Sequence, residues 1–364
     1  MNSSSLEVST RPYALLYTEA IFLSFICLIS LTGNLSLFII VLRNRNLRTR
    51  SNWFTLNLAF ADVLVSSVNM PVTIATILAE KWLLGTTACS ISAFLTILSF
   101  IASVMSLALI AVNRFFFIVR WRSYSSLFKR SRVVIYISID WGISLLLSSP
   151  PLLGWARFDY IPGKSYCFVF WPSDVLFMYF MIFVCFCGPL VTMAVCYTKI
   201  LLFTREHKRK VMAEVTGACG RKRVRGWVRR SVSPEETKIT NTLLIVLAVF
   251  LLSWSPFAIT MFLDVYYDKP LPRAIDMGSL LLGYLNSLCN PIIYAVRNRK
   301  FRTAYIKLYS ACLPFLKRRV HVVEIGDTTI LERPAVLQIE PKTNNYQSSS
   351  VSEDDAHLKL TGII

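Results

Sequence analysis

Seven long apolar stretches divide the chain, at roughly Ile21–Leu42, Trp53–Ala79, Ser90–Val112, Val133–Leu153, Val175–Leu202, Thr240–Leu263 and Met277–Val296. Each is long enough to cross ~30 Å of hydrocarbon as a helix of ~20 residues. Inside a bilayer the backbone polar groups must be satisfied within the segment, so the pattern predicts helices. After the seventh stretch, Phe301, Tyr305, Leu308 and Cys312 recur at helical spacing between Arg297, Arg299, Lys300, Arg302 and Lys307. That stripe predicts a short amphipathic helix lying on the membrane surface. The expected architecture is an all-α integral membrane protein, a seven-transmembrane helix bundle with a short eighth helix. Its expected divisions are an outer tail (1–16), the bundle with its eighth helix (17–312, including a basic connector at 203–239) and a polar, disordered tail (313–364). No cleavable leader is visible in the polar first twenty residues, and the first apolar segment is expected to act as a signal anchor.

Composition agrees with this class. Of 364 residues, 54% are hydrophobic and 16% charged, which excludes an ordinary soluble domain. The net charge of +18 would suit nucleic acid, but its distribution does not. Arg43–Arg50 holds four basic residues and no acid, Arg114–Arg132 holds six and none, and Phe203–Ile239 holds eleven against four. The N-terminus and the other three connectors together hold six basic residues and eight acids. By the positive-inside rule the N-terminus lies outside and the C-terminus in the cytosol. The excess charge then marks orientation and contact with the anionic leaflet, not nucleic-acid binding.

Of nine cysteines, only Cys89 and Cys167 fall on the outer side, where disulfides persist. A bridge between them would pin the loop after the fourth segment across the bundle; the alternative is two free thiols. Asn2 opens a glycosylation sequon on the outer tail. Cys312, at the end of the eighth helix, is a candidate for palmitoylation.

Polar residues within the spans carry the functional information. Asp62, Asp140 and Lys199 are the formal charges there. An ionised carboxylate at the bilayer centre costs roughly 2.5–3.5 kcal/mol, so Asp62 should face the interior. The candidate neighbours Asn34, Ser103, Asn286, Ser287 and Asn290 are neutral. One carboxylate among such groups suits sodium, or else a protonated acid in a hydrogen-bond network. Pro291, in Asn290-Pro291-Ile292-Ile293-Tyr294, removes a backbone donor at membrane depth and predicts a hinge.

Gly33-Asn34, Asp62, Cys89, Asn113-Arg114-Phe115, Trp141, Pro189, Tyr197, Trp254-Ser255-Pro256 and Asn290 to Tyr294 occur in order, one set per segment. In this the chain resembles the rhodopsin-like (class A) family of G-protein-coupled receptors, from about Tyr17 to Cys312. The resemblance implies a sodium pocket of Asp62, Ser103, Asn286, Ser287 and Asn290. It implies an activation path through Trp254, Pro256 and Phe250, the last repacking against Pro189 and Val104. Tyr197 and Tyr294 would swing toward Arg114 as helix 6 moves outward. Without the resemblance, the favoured reading of these aromatics is ordinary core or lipid-facing bulk. Two departures stand out. Asn113 replaces the aspartate usual before the arginine, leaving Glu236 as the expected restraint on Arg114. Trp121-Arg122 replaces the proline and apolar residue of the usual coupling loop, which leaves the choice of G protein open.

The short outer tail cannot form a hormone-binding domain, so the ligand is expected within the bundle, touching Thr96, Trp254 and Tyr284. Thr96 stands where amine receptors carry an aspartate. The loop Trp155–Cys167 resembles that of opsins, and Asn113-Arg114 before an aromatic resembles melatonin receptors. Tyr284 stands where opsins carry the retinal lysine, and a Schiff base needs that amine. The expected ligand is a neutral or weakly polar small molecule, or a short peptide, without retinal. Expected partners are a heterotrimeric G protein, the bilayer, and arrestin and a receptor kinase at the tail, where Ser348, Ser349, Ser350 and Ser352 precede Glu353-Asp354-Asp355. The expected location is the plasma membrane. The seven unlike segments lack the paired halves of a transporter. No nucleophile–base pair or metal cluster marks an enzyme: His207, His321 and His357 all lie outside the spans.

Overall fold

The structure, a computed structural model, describes residues 12–216, 234–267 and 269–310. Among them seven helices are long and apolar enough to cross a membrane. They are α1 (Tyr13–Arg43), α2 (Arg50–Ala79), α3 (Gly85–Ile118), α4 (Arg130–Ser148), α5 (Val175 to Thr216), α6 (Pro234–Tyr266) and α7 (Arg273–Arg297). An amphipathic α8 (Arg299–Ser310) follows. Asn2, Cys312, the basic run 221–230 and the serine-rich tail lie outside the described residues.

The helices overrun the apolar segments that predicted them. α1 begins at Tyr13, inside the expected outer tail, and α5 runs on to Thr216, well into the expected connector 203–239. At 1.5 Å per residue, the 34 residues of α3 span about 51 Å, well beyond the hydrocarbon. Hydropathy marks only the part in lipid; polar turns beyond it continue the helix unseen. The fourth stretch errs the other way, because Pro150 and Pro151 turn its last residues into a 3₁₀ turn.

Thr49 caps α2 by accepting the amide of Asn52, and Asp174 caps α5 by accepting that of Phe177. Two π-helical turns, Val65–Asn69 in α2 and Met181–Cys187 in α5, precede Pro71 and Pro189. Widening a turn just before a proline absorbs the clash that its ring would cause.

Between α4 and α5 a hairpin pairs β1 (Phe158–Ile161) with β2 (Tyr166–Val169), antiparallel, Phe158 opposite Val169 and Ile161 opposite Tyr166. Strands of four residues are too short to show a period in sequence. The core has two layers, one toward the hairpin and one toward α8, and Phe100 and Trp254 pack against both. On the outside, Ile21, Phe25, Leu28, Leu146 and Leu252 are exposed, as a lipid-facing surface requires.

Candidate functional site

At the centre of the bundle Asp62 is 1% exposed and accepts a 2.8 Å hydrogen bond from Asn290 Nδ2. Asn34 Nδ2 donates to the carbonyls of Ser30 (2.9 Å) and Ser287 (3.1 Å), tying α1 to α7. Gly33 makes that approach possible: a Cβ there would lie 2.7 Å from the Pro291 ring. Ser103, Asn286 and Ser287 are buried too, and two buried oxygens, Asn34 Oδ1 and Ser103 Oγ, lack a hydrogen-bond partner in the protein. Ser287 also hydrogen-bonds the Asp62 carboxylate through its side chain, and a carboxylate among neutral hydroxyl and amide groups is a donor set suited to a small hard cation. The second intramembrane acid, Asp140, is held differently. Its Oδ2 accepts from Asn57 Nδ2 (2.5 Å) and Ser106 Oγ (3.2 Å), while Trp141 Nε1 donates to Asn57 Oδ1 (2.8 Å).

Toward α8, Arg114 lies 3.1 Å from Glu236 Oε2, joining α3 to the foot of α6. Asn113 is fully buried, accepting from Ser51 Oγ (2.9 Å) and donating to Tyr124 (3.4 Å). Its place beside the arginine is thus taken by a hydrogen bond to α2, not by a counter-charge. Tyr197 and Tyr294 are buried nearby. Arg114 and Tyr294 line a cavity of ≈ 490 Å³ walled also by Lys238, Arg297, Arg299 and Lys300. Arg122 stacks over Trp121 (5.6 Å) on a short helix at the same end. Lys199, the cation within the fifth apolar stretch, sits 5.8 Å from the Phe115 ring.

Toward the hairpin lies a cavity of ≈ 220 Å³. Thr96, Trp254 and Tyr284 all line it, with Phe100, Tyr166 and Phe168 among the other walls. No Asp, Glu, Lys or Arg is among its lining residues. Tyr284 and Thr73 share a hydroxyl hydrogen bond (3.1 Å), and Thr96 Oγ1 donates to its own helix at Ser92 (2.8 Å). Trp254 meets Phe100 edge-on at 4.6 Å, and Gly283 leaves it room, since a Cβ there would fall 3.2 Å from the indole. Phe250 stacks on Phe100 (6.4 Å), meets Phe186 at a tilt (6.1 Å) and lies 6.4 Å from Trp254. Pro189, expected as a partner of Phe250, lines a different cleft between α3, α4 and α5. Two donors at the cavity, Trp254 Nε1 and the Tyr166 hydroxyl, lack partners in the protein. Burial pushes the Tyr166 phenol well above its usual range, so it stays a neutral donor.

The hairpin roofs this cavity. Cys89 and Cys167 are bridged, Cα to Cα 5.2 Å, tying β2 to α3. Lys164, Asp264, Asp276, Arg273 and Glu19 form ion pairs around the hairpin turn, a cluster that sequence reading counted only as connector charge. A lysine straight after Pro162-Gly163 was the available signal, since a turn limits where its side chain can go.

The family described as 7 transmembrane receptor (rhodopsin family) matches residues 33–294, a stretch that opens at Gly33 and closes at Tyr294. The chain belongs to the rhodopsin family of G-protein-coupled receptors. It is 29% identical to the melatonin receptor type 1B-B of Danio rerio over 84% of this chain and 86% of that one. To the human 5-hydroxytryptamine receptor 4 it is 30% identical, over 78% and 77%. Squid rhodopsin shares the fold, with a TM-score of 0.73 at 24% identity over 90% of this chain and 95% of that one. Membership of this receptor family means a multi-pass membrane protein that couples to a G protein, and not an enzyme. The relatives differ in what their names say they respond to, so the ligand is argued from the cavity itself.

Proposed function

We infer that this receptor binds a small, uncharged, largely apolar molecule in the aromatic cavity beneath the hairpin. The observation that carries this reading is the cavity lining, which holds no charged side chain, with Trp254 Nε1 and the Tyr166 hydroxyl among its uncommitted donors. An ammonium there would lose its water and gain no carboxylate, an uncompensated cost of several kcal/mol. A photopigment is disfavoured because Tyr284 fills the position of the retinal lysine. Binding would act on Trp254, and through Phe250 and the Pro256 kink would release the foot of α6 outward. The receptor would sit in the plasma membrane, hairpin outside and the Arg114 cavity facing the cytosol, an orientation that the basic connectors support. That cavity would take the G protein; arrestin and a receptor kinase would engage the tail.

The test is a panel of matched neutral and cationic aryl-alkyl ligands on cells reporting several G-protein pathways. Melatonin, whose side-chain nitrogen is acylated, and serotonin, a protonated amine on a similar indole, form one pair. Neutral members should be at least about tenfold more potent than their cationic partners. Equal potency would defeat the reading.

Asp62 with Asn290 would hold a sodium ion as an allosteric ligand, joined by Ser103, Asn286 and Ser287. The ion would supply the positive charge that this carboxylate lacks in the bilayer. Asp62→Asn removes the negative charge and keeps the shape. Binding of an active ligand should then no longer weaken as sodium replaces potassium in the buffer. A sodium effect that survives the substitution would refute the site.

A further inference from the structure

The hairpin is held shut at its turn by charges from three helices. Lys164, 3% exposed, places Nζ 2.8 Å from Asp264 on α6 and 3.2 Å from Asp276 on α7. Arg273, at the head of α7, donates to the carbonyls of Pro162 (3.1 Å) and Gly163 (3.2 Å) and pairs with Glu19 on α1 at 2.5 Å. The fit is close: a Cβ at Gly163 would run into the Asp276 carboxylate. With the disulfide to α3, the roof is therefore fastened to α1, α3, α6 and α7 together.

Between α5 and α6 the wall differs. At their outer ends the hydroxyls of Tyr179 and Tyr266 bond at 2.7 Å, and Tyr179 meets the Phe262 ring at 6.4 Å. Below that tie the two helices pack far less closely than α6 and α7 do. Cavity-lining Ile182 and Cys187 on α5 and Ala258 on α6 are only part-buried there, and Phe262 is 37% exposed. The π turn Met181–Cys187 falls at this place, so the α5 backbone is locally wound wider there. All four side chains lie within the membrane-spanning segments.

We propose that the cavity fills from the bilayer through this window between α5 and α6, while the Lys164–Asp264–Asp276 clasp keeps it closed to water. The occupant is then a molecule that partitions into lipid first. This rests on the cavity being the ligand site, as inferred above, but its test needs no ligand.

Cys187 is a native reporter on the cavity wall. The full receptor in phospholipid nanodiscs is treated with a cationic, membrane-impermeant methanethiosulfonate or with lipid-soluble pyrene maleimide. Labelling is read on the Cys187 peptide by mass spectrometry, so other thiols do not interfere. The pyrene reagent should modify wild-type Cys187 while the cationic one leaves it intact. Lys164→Met leaves two carboxylates facing each other and should speed cationic labelling by about tenfold or more; Lys164→Arg should keep the protection. If Lys164→Met does not fold, Asp276→Asn, which removes one tie, should give a smaller increase. Cationic labelling of the wild type as fast as of the variants would overturn the clasp. A wild-type Cys187 inert to the pyrene reagent would overturn the window. Discovery of a cationic ligand would instead defeat the ligand reading and leave these rates unchanged.

Discussion

Glu236→Ala is expected to raise ligand-independent signalling by about threefold to tenfold at matched surface expression. The reason lies in how few charges hold Arg114. Its side chain is 11% exposed and sits 3.1 Å from Glu236, itself 26% exposed. Among the described residues no other carboxylate pairs with it. A charge-assisted hydrogen bond in so sheltered a setting contributes about 0.7–1.4 kcal/mol after allowance for solvent at the glutamate. If the bond is present only while α6 is docked, its loss shifts the resting equilibrium by that amount, and 1.4 kcal/mol is a factor of ten.

A second substitution separates this from a general loosening. Asn113→Asp restores an acid beside the arginine, and its oxygen can still accept from Ser51. In the Glu236→Ala background it should bring basal signalling back down. Reporter-gene output against surface receptor number measures both. Basal signalling that stays flat in Glu236→Ala would remove this glutamate from the resting state.

The bilayer explains why much of the architecture was readable. Hydrocarbon imposes a fixed length and tolerates no unpaired backbone, so seven spans appear as seven apolar runs. Asp62 was legible because a lone carboxylate in such a run demands neighbours of a definite kind, and Asn290 is one. The ends of α1, α3 and α5 were not legible, because a helix in water needs no hydropathy to continue. Ion pairs at the hairpin were hidden for another reason. Lys164 and Asp264 are 100 residues apart, and Glu19 and Arg273 are 254 apart. Charges in aqueous connectors carry no penalty that would reveal a partner, and they meet only once the hairpin turn has formed. The π turns of α2 and α5 were likewise invisible: Pro71 and Pro189 show that the helix must adjust, but not how.

Cys167→Ser, paired with Cys89→Ser to avoid a stray thiol, should cost about 2–3 kcal/mol and lower surface expression several-fold. A free chain closed by a bridge of sequence separation 78 would gain about 4.5 kcal/mol from lost unfolded-state entropy. Here the loop contains α4 and most of α3, which span the membrane before tertiary folding, so part of that entropy is already absent and the gain is smaller. What remains is the docking of the hairpin: Cys167 is fully buried, with Ala93 on one side and Trp82, Phe158 and Tyr160 packed around the bridge. The bridge and the Lys164 clasp hold the same hairpin, so their losses should not add. With the bridge gone, Lys164→Met should lower the melting temperature less than it does in the wild type, because the roof is already loose. Thermal unfolding of the four proteins in detergent, wild type, each change alone and both together, measures this coupling. Strictly additive shifts would mean that bridge and clasp secure different parts of the loop, and that the roof does not move as one piece.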